Sequence, residues 1–289
     1  VAWEYESKDY GQMQMNPIVI DTLLYGVSSA LRVFALDARS GEEVWVFGDT
    51  LKTLFSTSRG VSYWESGNDK RIFYTKGADL WALNAHTGQP IPSFGKGGKI
   101  DLRSGLHASA QDKFVISSTP GTIYKNLIIM PIRLSEGVGA APGDVMAFAV
   151  ITGDLAWSFH TLPRPGEEGI ETWGDPNISE SPIVGAANNW AGMALDQKRE
   201  ILFVPTGSAS PDFYGALRPG KNLYSNCLLA LNANTGKLLW HYQFIHHDLW
   251  DRDLPAPPNL ITVNHGGKKI AAVAQVTKQG YVFVFDRET

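Results

Sequence analysis

The chain has 289 residues, 44% hydrophobic and 11% aromatic, with 29 glycines, 16 prolines and a formal net charge of −4. That is enough apolar material for a large core, and the negative balance without any lysine–arginine cluster argues against nucleic acid as a partner. The longest apolar stretches, 127–132 and 145–151, are far too short to cross a bilayer, and the lone Cys227 leaves neither an intrachain disulfide nor a thiolate metal site.

In chain order, the first element is Val1-Ala2-Trp3-Glu4-Tyr5, an apolar residue, a tryptophan, one free position and an aromatic. The pattern returns at Glu43-Val44-Trp45-Val46-Phe47, Leu155-Ala156-Trp157-Ser158-Phe159 and Leu238-Leu239-Trp240-His241-Tyr242. The last three each follow a second shared block, typified by Phe34-Ala35-Leu36-Asp37-Ala38-Arg39-Ser40-Gly41 and repeated at 147–153 and 230–236. The block also occurs at 82–88, where the following tryptophan is missing. Alternating residues such as Val33, Ala35 and Asp37 define one face of a strand. The Asp/Asn-Ala-x-Thr/Ser-Gly stretch is turn chemistry, with a side-chain acceptor for local N–H groups and a glycine for positive φ. The tryptophan strand then returns as the second arm of a hairpin, its indole docking on a neighbouring unit.

Corresponding residues Asp37, Asn84, Ala149, Asn232 and Asp286 lie about 47, 65, 83 and 54 residues apart. Four-stranded propeller blades with loop insertions tolerate such spacing, whereas uniform solenoid coils do not. The predicted fold is an all-β propeller of about four to five blades, one domain over 1–289. Because the chain opens inside a repeat at Val1 and stops near the next turn, the domain is expected to be incomplete at both ends.

The densest polar cluster is His246-His247-Asp248-Leu249-Trp250-Asp251-Arg252-Asp253 before a proline-stiffened segment. Three carboxylates and two imidazoles in eight positions are costly unless they pair or bind a cation. Asp251 and Asp253, two apart on an extended chain, point the same way. The alternative is a capped turn whose aspartates bond backbone N–H groups; a zinc site from the adjacent histidines is weaker.

Extended to Pro258, this cluster resembles the active-site segment of pyrroloquinoline quinone (PQQ)-dependent dehydrogenases, the glucose/polyol branch more than the alcohol branch. The resemblance also runs through the tryptophan repeats, Arg59-Gly60-Val61-Ser62-Tyr63, Asn189-Trp190-Ala191 and Thr277-Lys278-Gln279-Gly280-Tyr281. It implies an eight-bladed propeller with PQQ near its axis beside a divalent cation, usually calcium. Asp251 would be the general base for hydride transfer from a sugar, polyol or alcohol. Lys278 would hydrogen-bond the quinone oxygens, Trp190 would stack on the cofactor, Arg59 would pair with a cofactor carboxylate, and Ser117 would donate a hydrogen bond to it.

For the metal the resemblance implies Glu136, Asp251 and Asp253, with Ser210 where the alcohol branch has a ligand Asn. The extra Asp at 253 is shared with lanthanide-using relatives and with the glucose branch, leaving the cation open between calcium and another divalent or lanthanide ion. The alcohol branch's adjacent cysteines are absent, and Phe55 stands near where a cap on the quinone is expected. No Cys-x-x-Cys-His occurs, so electrons are expected to pass to a quinone or cytochrome c. Family resemblance further implies a periplasmic protein, membrane-associated at full length, whose substrate specificity resides in insertions such as 163–181. The competing reading is a non-catalytic propeller scaffold of the outer-membrane assembly type, which shares the tryptophan repeats.

Overall fold

Each repeat folds as an antiparallel meander, and the computed structural model describes residues 1–49 and 57–288; Phe55 lies outside the described residues. Blade 1 comprises Ile18–Ile20, Leu23–Val27, Val33–Asp37 and Glu43–Phe47; blade 2, Ser62–Ser66, Asp69–Lys76, Asp79–Asn84 and Lys99–Asp101. Blade 3 comprises Thr122–Tyr124, Leu127–Met130, Val145–Ala149 and Leu155–Phe159; blade 4, Ala194–Asp196, Ile201–Pro205, Cys227–Asn232 and Leu238–Gln243. The strands Asn259–His265, Lys268–Val276 and Val282–Asp286 make blade 5. Among the described residues helices are limited to short 3-10 turns, and none is long and apolar enough to cross a membrane.

Inner strands differ from the expected one-sided pattern. Val33 to Leu36 are all buried, as is the whole strand Ile201–Pro205. The reason is that a propeller blade is covered on both faces, so successive side chains enter two different cores. Ile128 and Met130 pack with blade 2 residues Phe73 and Leu80, while Ile129 between them packs with Leu202 and Leu229 of blade 4. In blade 4, Leu202 and Val204 face blade 3, while Ile201 and Phe203 face Val273 and Phe285 of blade 5. Each such buried aliphatic or aromatic side chain stabilises the fold by roughly 1.5–3 kcal/mol.

The tryptophans fasten one blade to the next. The Nε1–H of Trp3 donates to the carbonyl of Ala38 at 3.2 Å, Trp45 to Ala85 at 3.0 Å, Trp157 to Ala233 at 3.3 Å and Trp240 to Arg287 at 3.1 Å. Every acceptor follows the Asp or Asn that ends a third strand. That Asp or Asn holds the turn: Asp37 Oδ1 accepts from the backbone N–H of Arg39 and Ser40, Asn84 from His86 and Thr87, and Asn232 from Asn234 and Thr235.

The turn glycine has two reasons to lack a side chain. Gly236 has φ +70, and a Cβ there would stand 2.4 Å from the Trp157 ring; Gly88 and Trp45 repeat the arrangement at 2.5 Å. Where the repeat lacks its tryptophan, Ile100 and Phe94 of blade 2 cover Gly153 instead.

Strand order then decides where chemistry can sit. In an up-and-down meander the connections alternate between the two ends of the blade. The docking turns, between third and fourth strands, therefore share one end with the connections between first and second strands. Connections from second to third strands, and from each blade to the next, gather at the opposite end.

Candidate active site

Seven connections at that opposite end supply the wall of one cavity of about 230 Å³. Arg59 comes from the link between blades 1 and 2, and Ser118 from the next link. Arg133 and Glu136 sit on the loop within blade 3, and Asn188 and Trp190 on the link to blade 4. Ser208 and Asp212 come from the loop within blade 4, Asp251 and Asp253 from the link to blade 5, and Lys278 from the loop within blade 5. Six of the eight residues singled out in the sequence thus meet at one place: Arg59, Glu136, Trp190, Asp251, Asp253 and Lys278.

Ser117 and Ser210 do not line the cavity. The Ser117 hydroxyl is buried and donates to the Thr119 carbonyl at 3.2 Å; its neighbour Ser118 occupies the wall and accepts from Arg59 Nη1 at 3.1 Å. Ser210 is fully buried in a two-residue ladder opposite Gly185, and Ser208 and Asp212 on either side of it reach the cavity.

The segment from Asp248 to Asp253 is shaped by a carboxylate that never reaches the cavity. Asp248 is 2% exposed. Its Oδ1 accepts from Trp250 N at 3.0 Å, and its Oδ2 from Arg252 N at 2.6 Å, Ser208 Oγ at 2.7 Å and Asn226 Nδ2 at 3.0 Å. The capped-turn reading of the cluster is therefore right for Asp248, whereas Asp251 and Asp253 face the cavity. Asp251 takes a left-handed backbone, φ +50, rather than the expected extended one. Such a residue persists only where its surroundings hold it.

A buried guanidinium braces this segment. Arg218, wholly inaccessible, donates from Nη2 to the carbonyls of Asp248 at 2.5 Å and Pro211 at 3.1 Å, and from Nη1 to Asn222 Oδ1 at 2.9 Å. It ties the loop bearing Asp212 to the link bearing Asp251. The insertion 163–181 supports it from behind: Trp173 is fully buried, its Nε1–H donating to Leu223 O at 3.1 Å, and Asn222 N donates to Thr172 O at 3.1 Å.

Within the cavity, Lys278 Nζ donates to Asp251 Oδ2 at 3.0 Å and to the Asp251 carbonyl at 2.7 Å, and stands 3.8 Å from Asp253 Oδ2. Asp253 fixes the indole, its Oδ2 accepting from Trp190 Nε1 at 2.8 Å, while its Oδ1 accepts from Ser208 N at 2.6 Å. The Arg59 guanidinium carbon lies 5.6 Å from the Trp190 ring centroid, a cation–π distance.

Two zones of opposite charge result. Arg59 and Arg133 form one. Burial and then the neighbouring Arg133 charge push the Arg59 pKa down, and Arg59 Nη1 donates only to the hydroxyls of Ser118 and Thr119 among the described residues. A half-buried guanidinium without a carboxylate partner suits an anionic group, and the flat face of Trp190 beside it suits a planar one. Glu136, Asp212, Asp251 and Asp253 form the other zone. Burial, then the Asp253 charge, raises the Asp251 pKa against the pull of Lys278. Asp212 is pushed up to about 8 by burial and by Asp253, Asp251 and Glu136.

An all-oxygen carboxylate set suits a hard cation. As the side chains stand, no three His, Cys, Asp or Glu among the described residues close on a single point, so neither the zinc alternative nor a preformed cage is present. Asp212, Arg133 and Ser208 escaped the sequence reading. Asp212 had a signal, standing just beyond Gly207-Ser208-Ala209-Ser210-Pro211, whereas Arg218 had none in the residues around it.

A family model for the PQQ glucose/ethanol/alcohol dehydrogenase β-propeller domain matches residues 1–289. The chain belongs to this family. Quinoprotein glucose dehydrogenase of Escherichia coli (strain K12) is 33% identical over 317 aligned positions, covering 99% of this chain and 38% of that protein. Quinate/shikimate dehydrogenase (quinone) of Acinetobacter baylyi is 32% identical, covering 100% of this chain and 39% of its own length. Among solved structures, a quinohemoprotein alcohol dehydrogenase from Pseudomonas putida matches with a TM-score of 0.83 at 24% identity, over 100% of this chain and 42% of that one, a likeness of fold. The chain spans 38–39% of the length of these two curated relatives.

Proposed function

We propose that the full-length protein is a PQQ-dependent oxidoreductase that oxidises a hydroxyl group of a sugar, polyol or alcohol in this cavity. The observation that carries this reading is the meeting of Arg59, Trp190, Asp251 and Lys278, from four separate connections, around one cavity. A non-catalytic scaffold has no need of a carboxylate base, an ammonium and an unpaired guanidinium around one indole face.

When bound, PQQ supplies the hydride acceptor. Asp251 takes the proton of the substrate hydroxyl, and its raised affinity for protons brings it toward the range of an effective base. Lys278, held on Asp251, donates toward the quinone oxygens, where negative charge develops. Trp190, its indole fixed by Asp253, offers a flat face to the ring system, and Arg59 neutralises a cofactor carboxylate. Glu136, Asp251 and Asp253 are the oxygen donors for a hard cation, calcium or a lanthanide. The electrons then pass to a quinone or to cytochrome c, in a periplasmic setting.

The test is reconstitution of the full-length protein with PQQ and Ca²⁺, followed by a panel of sugars, polyols and alcohols with an artificial dye as acceptor. Bleaching of the dye that requires quinone, cation and a hydroxyl substrate is expected. Stoichiometric quinone uptake without turnover on any hydroxyl compound would defeat the catalytic reading.

A further inference from the structure

We infer that Asp212 is a direct ligand of the cation held in this cavity, a fourth carboxylate beside Glu136, Asp251 and Asp253. The inference rests on the quinone-dependent reading above and adds to it a ligand outside the set that the resemblance implied.

Burial and pairing carry the argument. Asp212 is 4% exposed, lines the cavity, and has its Oδ1 wholly buried without a hydrogen-bond partner. A carboxylate kept for structure looks different, and Asp248 on the adjoining segment is the comparison: equally buried, it accepts four hydrogen bonds. The cation best placed to pair with Asp212 is Arg218, yet Arg218 spends its donors on Asn222 Oδ1 and on the backbone carbonyls of Pro211, Asp212 and Asp248. No ion pair among the described residues includes Asp212.

Taking a carboxylate out of water with no donor, beside three more carboxylates, is unfavourable unless positive charge joins them. The position is also fixed from behind. Asp212 N donates to the Glu136 carbonyl at 3.1 Å, which joins the backbones of two of the four acids. Bringing the carboxylates onto an ion therefore asks for rotation of side chains already on the wall.

The test uses full-length protein loaded with PQQ and stripped of metal, titrated with Tb³⁺, whose luminescence Trp190 sensitises, and with Ca²⁺ by competition. Asp212→Asn removes the charge and keeps the shape; Asp212→Ala is the second variant, and melting in metal-free buffer confirms that each is folded. Tb³⁺ affinity is expected to fall by more than the ~10–100-fold usual for loss of an outer-shell partner, and Ca²⁺ affinity by a smaller factor, because the loss of one ligand charge scales with the charge of the ion. Unchanged affinities overturn the inference and leave the quinone reading standing. Equal losses for both ions overturn it too, since a side chain that only props the loop would weaken both alike. If the unsubstituted protein binds neither ion, both readings fall.

Discussion

The two ends of the blades solve different problems. At the turn end the same contact is made again and again: an indole N–H on the carbonyl after an Asp or Asn, and a glycine beneath the ring. The turn Asp and Asn side chains are paired there, and positive φ falls on the turn glycines and on Asp21, Lys125 and Glu200 in the short connections between first and second strands. At the cavity end the contributing connections differ, the left-handed residues include His247 and Asp251, and buried oxygens of Asp212 and Ser210 stand without partners. Regular, satisfied structure at one end carries the stability that irregular, unsatisfied structure at the other consumes. Substitutions at the two ends should therefore separate cleanly into losses of stability and losses of chemistry.

The largest expected effect is at the cavity end. Asp251→Asn in the full-length holoenzyme should lower turnover by roughly 10²–10⁴-fold, the usual contribution of a positioned base, while quinone uptake followed by absorbance stays near that of the unsubstituted protein. The melting temperature should not fall, because the change removes a charge that burial and Asp253 already disfavour. Full activity in this variant would dismiss Asp251 as the base.

At the turn end the expectation reverses. Trp157 packs between blades 3 and 4 and donates to the Ala233 carbonyl, so Trp157→Ala should cost about 3–5 kcal/mol, as for other large core truncations. Urea unfolding measures the loss, and substrate KM should be unmoved once the variant is folded at low temperature. A variant that kept its stability but lost substrate binding would erase the division between the ends.

That division also explains what the sequence made legible. The turn end was readable because its constraint is local and repeated: Asp37, Asn84, Asn232 and Asp286 each mark the close of a third strand. Double-sided burial of inner strands such as Ile201–Pro205 was not readable from one repeat, since it depends on neighbours on both sides. Of the residues expected in the cavity, the six that line it are Arg59, Glu136, Trp190, Asp251, Asp253 and Lys278, each carried by a recognisable segment. The misplacement of Ser117 and Ser210 is a matter of which residue of a short irregular segment turns inward, and no periodicity reports that. Arg218 acts through backbone carbonyls of residues 7 and 30 positions away, which are adjacent only in the folded chain.

The smallest expected effect concerns pH, and it is read at the cavity end. Asp212 is raised to about 8 from an ordinary carboxylate value of 3.8. Between those values the folded protein holds a proton that the unfolded chain has already released, so the unfolded state binds fewer protons and stability falls as pH rises. The penalty begins near pH 4 and is complete above about 8. It should be on the order of 1–3 kcal/mol once water in the cavity screens the carboxylates. Raising the pH of metal-free protein from 5 to 8 should therefore lower its melting temperature, and Asp212→Asn should flatten the slope. Ca²⁺ should flatten it as well, since a bound cation favours the ionised carboxylate. A slope that survives in Asp212→Asn would place its origin elsewhere, with buried Asp144, raised to about 6, as the next carboxylate to substitute.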